Sequence, residues 1–115
     1  MNKQIKRTWL LVLASNTYQA SSNGYLVTEP TDSTSPTTYS ALGVLCEIAR
    51  AAGVDVGHIA KTDFALPPAV AAWAEIDALP WMLIAHPSGI YNLAHINAIG
   101  AGSFDLEISV IREHL

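Results

Sequence analysis

The chain has 115 residues, half of them hydrophobic, with six Lys and Arg against ten Asp and Glu and a formal net charge of −4. That length suits one domain with a real core, so a single globular domain over 1-115 is expected. The composition excludes the basic face that duplex nucleic acid demands. No apolar run approaches the roughly 20 residues of a membrane span. The lone cysteine, Cys46, excludes an internal disulfide and a cysteine-cluster metal site.

Residues 3–15 read as a helix, with Ile5, Trp9, Val12 and Leu13 on one face and Lys3, Lys6 and Arg7 on others. The apolar stretch from Trp9 to Ala14 is short for a signal-peptide h-region and no clean cleavage site follows it, so the chain is read as cytoplasmic, in a host cell. From Asn16 to Thr38 the composition turns to Ser, Thr, Asn, Gly and Pro. Within it Tyr25–Thr28 has strand character after the turn pair Asn23-Gly24, and a mobile polar loop is expected near 30-38.

Residues 40–52 predict the clearest helix, with Leu42, Leu45, Cys46 and Ala49 inward and Gly53 at the left-handed cap. Residues 54–65 read as irregular. Pro67 and Pro68 suit the first turn of a short helix that turns Val70 and Trp73 inward. Trp81–Ala85 reads as a buried strand, Pro87-Ser88-Gly89 as a turn and Ile90-Tyr91 as a returning strand. Asn92 suits the cap of a short helix through Ile99. After Gly100-Ala101-Gly102, Ser103 is expected to cap a final helix with Phe104, Ile108, Ile111 and Leu115 on one face, Asp105 and Glu107 favouring its positive end. The architecture is α+β: about four helices packed on a small, mostly antiparallel sheet.

Gly100 to Ser103 is the best local site for a ligand, because glycine permits close approach and N–H groups at a helix start attract an anion. It lacks the lysine and spacing of a phosphate-binding P-loop. His95 and Asn97 precede it, and Tyr18, Tyr25, Tyr39, Trp81 and Tyr91 lie near the loops and strands, where aromatics stack on a base or pack a partner. The candidate ligand-binding set is therefore Tyr18, Tyr39, Trp81, Tyr91, His95, Asn97, Gly100, Gly102 and Ser103. Trp9 and Trp73 go to the core. His58, His86, His95 and His114 show no ligand spacing for zinc, so no metal and no cofactor is expected. Cys46 reads as a small buried hydrophobe.

Three strings occur in order: Tyr39-Ser40-Ala41-Leu42-Gly43-Val44-Leu45-Cys46-Glu47, Leu66-Pro67-Pro68-Ala69-Val70-Ala71-Ala72-Trp73, and Gly102-Ser103-Phe104. Together they resemble a family of small phage and prophage proteins of undefined function. Its pattern includes an aromatic-Cys-Cys-Leu-Gly-Val string, Leu-Pro-x-x-Val-x-x-Trp and Asn-Asp-x-Gly-x-Ser-Phe. The resemblance covers most of the chain and names no reaction. Here Ser40-Ala41 replaces the cysteine pair, and Asn97-Ala98-Ile99-Gly100, with one extra residue before Ser103, lacks the aspartate.

With few convergent titratable groups, catalysis is the weakest reading, its best form a small hydrolase with His86 or His95 as base. Two binding readings stand: capture of a small anionic, nucleotide-derived ligand, which is favoured, or direct inhibition of a host defence protein. The phage resemblance implies interference with host defence in either form. No membrane partner is expected, and a homo-oligomer is compatible with the chain.

Overall fold

The structure is a computed structural model that describes residues 1–15, 17–20, 25–30, 36–60, 63, 66–76, 83–86, 89–92 and 104–114. Helix α1 is Lys3–Ala14, α2 is Ala41–Ala51, α3 is Pro68–Ala74 and α4 is Asp105–His114. Strands β1 (Gln19–Ala20), β2 (Val27–Thr28) and β3 (Thr38–Tyr39) form one sheet in the order β1-β3-β2. Strand β4 (Leu83–His86) pairs with β5 (Gly89–Asn92) in an antiparallel hairpin. The protein is α+β, as its periodicities predict.

Helix α1 starts at Asn2, whose side-chain oxygen accepts the N–H groups of Gln4 at 3.0 Å and Ile5 at 3.1 Å. One helical stripe then carries Trp9 and Leu13 into the core and leaves Ile5 and Val12 at its edge. A buried indole needs an acceptor, and the Trp9 Nε1–H donates to the Ala41 carbonyl at 2.8 Å. That bond ties the middle of α1 to the first turn of α2.

Ser40 caps α2 by accepting the Gly43 N–H on Oγ at 3.0 Å. The predicted stripe of Leu42, Leu45, Cys46 and Ala49 is buried. Gly53, at φ 91°, ends the helix: its N–H donates to Arg50, and that of Val54 donates to Ala49, which satisfies carbonyls the helix itself leaves open. In α3 the proline pair occupies the start as predicted, Pro67 at the cap and Pro68 in the first turn.

The first sheet departs from a purely antiparallel arrangement. Strand β3 pairs antiparallel with β2, through Val27 opposite Tyr39, but parallel with β1, through Ala20 opposite Tyr39. A chain that leaves β1, returns through β2 and arrives at β3 reaches the central position running parallel to the first strand. The expected mobile loop abuts this sheet: residues 31–35 lie outside the described residues, and Thr38 belongs to β3.

Helix α2 packs on α1, α3 and β3, and α1 packs also on α4, which touches β4. Three expectations change. Trp73 is half-buried rather than a core residue. The inward stripe of α3 is Val70, Ala71 and Ala74, and three residues from Val70 the helix has turned Trp73 to its flank. The cap of α4 is Phe104, whose carbonyl accepts the Ile108 N–H at 2.8 Å, while Ser103 lies outside the described residues. Asn92 ends β5, and residues 93–99 lie outside the described residues.

Gly43 fits where no side chain would. A Cβ built on it would overlap the Leu26 carbonyl oxygen, at 2.8 Å from the carbonyl carbon and 3.3 Å from the Leu26 Cα. Helix propensity alone favours alanine over glycine by about 1 kcal/mol, but backbone overlap in a packed interior costs more than that. We expect Gly43→Ala to destabilise the protein by about 3 kcal/mol or more. Gly53→Ala, where the left-handed φ is the only penalty, should cost about 1 kcal/mol. Urea denaturation of both variants checks this; equal midpoints would refute the close approach.

Candidate functional site

The structure brings two of the sequence-predicted residues together. The rings of Tyr18 and Tyr39 meet edge to face, with centroids 5.0 Å apart and planes at 79°. Burial, then the nearby Glu47 and Tyr18, raise the Tyr39 phenol above its ordinary value, against the pull of Arg50. Tyr91 lies in β5, opposite Ile84. Trp81, His95, Asn97, Gly100, Gly102 and Ser103 lie outside the described residues.

The described start of α4 is acidic. Glu107 stands in the first turn, wholly buried, and neither carboxyl oxygen has a hydrogen-bond partner on another residue among those described. Asp105 lies in the same turn. Asp105 already uses the positive dipole of that helix start, and a ligand phosphate placed there would meet its like charge.

A groove of about 350 Å³ opens instead between the first half of α1, the second half of α2 and α3. Gln4, Ile5 and Thr8 line it from α1, Ile48 and Ala52 from the α2 side, Trp73 from α3, and Asn2 closes one end. Each position follows from helical spacing: Gln4 and Thr8 are one turn apart, as are Ile48 and Ala52. The end near Asn2 is held firmly. Its N–H donates to Ala74 O at 2.9 Å and its Nδ2 to Glu75 Oε2 at 3.1 Å. Glu75 has the left-handed φ of 57°, a strain that costs about 1 kcal/mol in a residue with a Cβ. In that conformation Ile76 and Glu75 donate to Ala71 and Ala72, closing α3.

The groove lining carries no charge. Thr8 donates to the Gln4 carbonyl at 3.1 Å, whereas the Gln4 side-chain amide has no partner among the described residues. One helical row outward from Gln4 stands Arg7, exposed and without an ion pair among the described residues. No acid lies in the first turn of α1. The arrangement therefore offers an aromatic wall, aliphatic sides and one free amide, with Arg7 one helical row away on α1.

Reactive groups are scarce. Among the described residues no three His, Cys, Asp or Glu stand close enough to hold a metal ion. Cys46 is fully buried, and burial, reinforced by Glu47 and eased by Arg50, pushes its thiol up to about 12. His58 is exposed in the loop after α2. No described helix is long and apolar enough to cross a membrane.

The groove was legible only in part. Trp73 has the spacing of an edge residue once Val70, Ala71 and Ala74 define the buried stripe. Gln4 and Thr8 flank Ile5 on one side of α1, a pattern that an outward polar face shares. Glu107 falls between Phe104 and Ile111 at core spacing, a position that its expected role at the helix's positive end does not reveal. Comparison of the chain with protein-family models, curated proteins and solved structures finds no match.

The state of Cys46 has a direct check. A protonated, sequestered thiol should not react with Ellman's reagent at about pH 8 in the native protein, and should react fully once the chain is denatured. Stoichiometric reaction under native conditions would show that the thiol is accessible and ionised.

Proposed function

We propose that the protein acts by binding rather than by catalysis, and that its ligand is a small planar molecule of nucleotide type held in the α1–α2–α3 groove. The observation that carries this reading is Trp73, half-buried and walling an open groove beside the unpartnered Gln4 amide. A base stacked on an indole gains about 1–3 kcal/mol. Gln4 has both a donor and an acceptor for a base edge. The ligand's phosphate would lie outward, towards Arg7 and the positive end of α1.

The alternative of a host protein target needs a contiguous apolar surface. Among the described residues the large exposed hydrophobics are Leu11 and Tyr25, on α1 and ahead of β2. These scattered residues favour the ligand reading. A buried, protonated Cys46 supports a non-catalytic role. The resemblance to small phage proteins supplies the setting: a phage-type accessory protein that counters host defence in the host cytoplasm by sequestering a nucleotide-derived signal.

Isothermal titration with a panel of linear and cyclic nucleotides tests the proposal, with circular dichroism as the folding control. Trp73→Leu and Gln4→Ala should each weaken binding by about tenfold or more while the fold persists. Gly102→Glu should leave affinity unchanged. If Gly102→Glu abolishes binding and Trp73→Leu does not, the ligand sits at the glycine-rich turn instead. If no nucleotide binds, the proposed ligand class is wrong.

A further inference from the structure

A buried carboxyl with no donor is stable only while it is protonated, because ionising it there strands a charge without hydrogen bonds or water. Glu107 comes close to that condition: it is wholly buried, and apart from the weak pull of its own main-chain N–H neither oxygen has a hydrogen-bond partner among the described residues. It also sits in the first turn of α4, on the side that carries Phe104 and Ile111 into the core. Its charge state therefore acts on the packing of that helix.

We propose that Glu107 makes the docking of α4 proton-dependent, the helix being held most firmly when the carboxyl is neutral and loosened as it ionises. The surroundings offer no compensating charge among the described residues. Of the α1 cations, Lys6 donates to the Arg112 carbonyl at 3.2 Å, and Lys3 and Arg7 are exposed. Strand β4, which also touches α4, contributes one titratable residue, His86. On α4 itself Asp105 is of the same sign, and Arg112 is exposed. Burial, with a smaller push from Asp105 and against the pull of its own main-chain N–H, raises the Glu107 carboxyl to about 7.

The sign follows from linkage. In the folded protein the proton is held up to about 7, whereas the unfolded chain releases it in the ordinary glutamate range. Stability is thus greatest below that range, falls as pH rises towards about 7, and then levels off. Across the falling region the unfolding constant should rise about tenfold per pH unit.

The test compares wild type with Glu107→Gln and Glu107→Leu from about pH 5 to about pH 9 by denaturant unfolding, each in His86 and His86→Gln backgrounds. Hydrogen exchange of α4 relative to α2 is followed over the same range. Wild type should lose stability and α4 protection on alkalinisation in both backgrounds, and the two Glu107 variants should not. Parallel pH profiles for wild type and variants would overturn the proposal, as would a slope that disappears with His86→Gln alone. Should the variants fail to fold, the carboxyl ¹³C resonance of Glu107 in wild type decides: a midpoint near neutrality supports the proposal, and one in the ordinary glutamate range ends it.

Discussion

The carbonyl of Leu26 lies against the bare Cα of Gly43, and the chain on both sides is arranged around that meeting of two backbones. The same carbonyl accepts the Ser40 N–H at 3.1 Å, and the Leu26 N–H donates to Asp63 O at 2.8 Å. A buried peptide unit is tolerable only when both its polar groups are paired, and here they are. Ser40 in turn caps α2 through Gly43. One close contact thus aligns the segment before β2, the end of β3 and the start of the central helix. None of these strands exceeds two residues, so the three-stranded sheet cannot hold itself together and depends on this anchoring.

The groove inherits its shape from that anchoring. Trp9 fixes α1 to the first turn of α2 through Ala41, and Asn2 fixes the start of α1 to the end of α3. With both attachments made, α1 spans α2 and α3 without filling the space between them. The left-handed Glu75 is part of this geometry: it closes α3 and also presents its carboxylate to Asn2. The strain there is small beside the several hydrogen bonds it allows.

Much of the fold was readable because it follows helical period and capping chemistry. Asn2, Ser40, Pro68 and Gly53 mark helix ends by mechanisms that work locally, and the stripes through Trp9 and Leu45 bury as their spacing requires. What escaped depends on distant partners. Nothing in Gln19 or Thr38 announces a parallel pairing between two-residue strands inside a polar stretch. The need for glycine at position 43 comes from a residue 17 positions earlier, which no window on α2 contains. Glu107 reads from the sequence only as an acid that suits the helix start, whereas its spacing from Phe104 and Ile111 places it inside. For the candidate site, Tyr18 and Tyr39 do meet, but the groove assembles from three helices whose relative placement local pattern does not specify.

The sequence strings themselves are best understood as instructions for this packing. In the first string, Ser40 serves as a helix cap and Ala41 lends its carbonyl to Trp9. Next along the string, Leu42 is buried and Gly43 receives Leu26. In the second string Leu66 and Val70 are buried and the prolines start α3. These positions set the architecture of the packed helices. Trp73 differs from its neighbours in that string, since it is large and turned to the edge of the core. A large aromatic left half-exposed forgoes part of its burial energy, roughly 1 kcal/mol or more. A molecule that covered Trp73 would recover that energy, which is the physical basis of the proposed binding role.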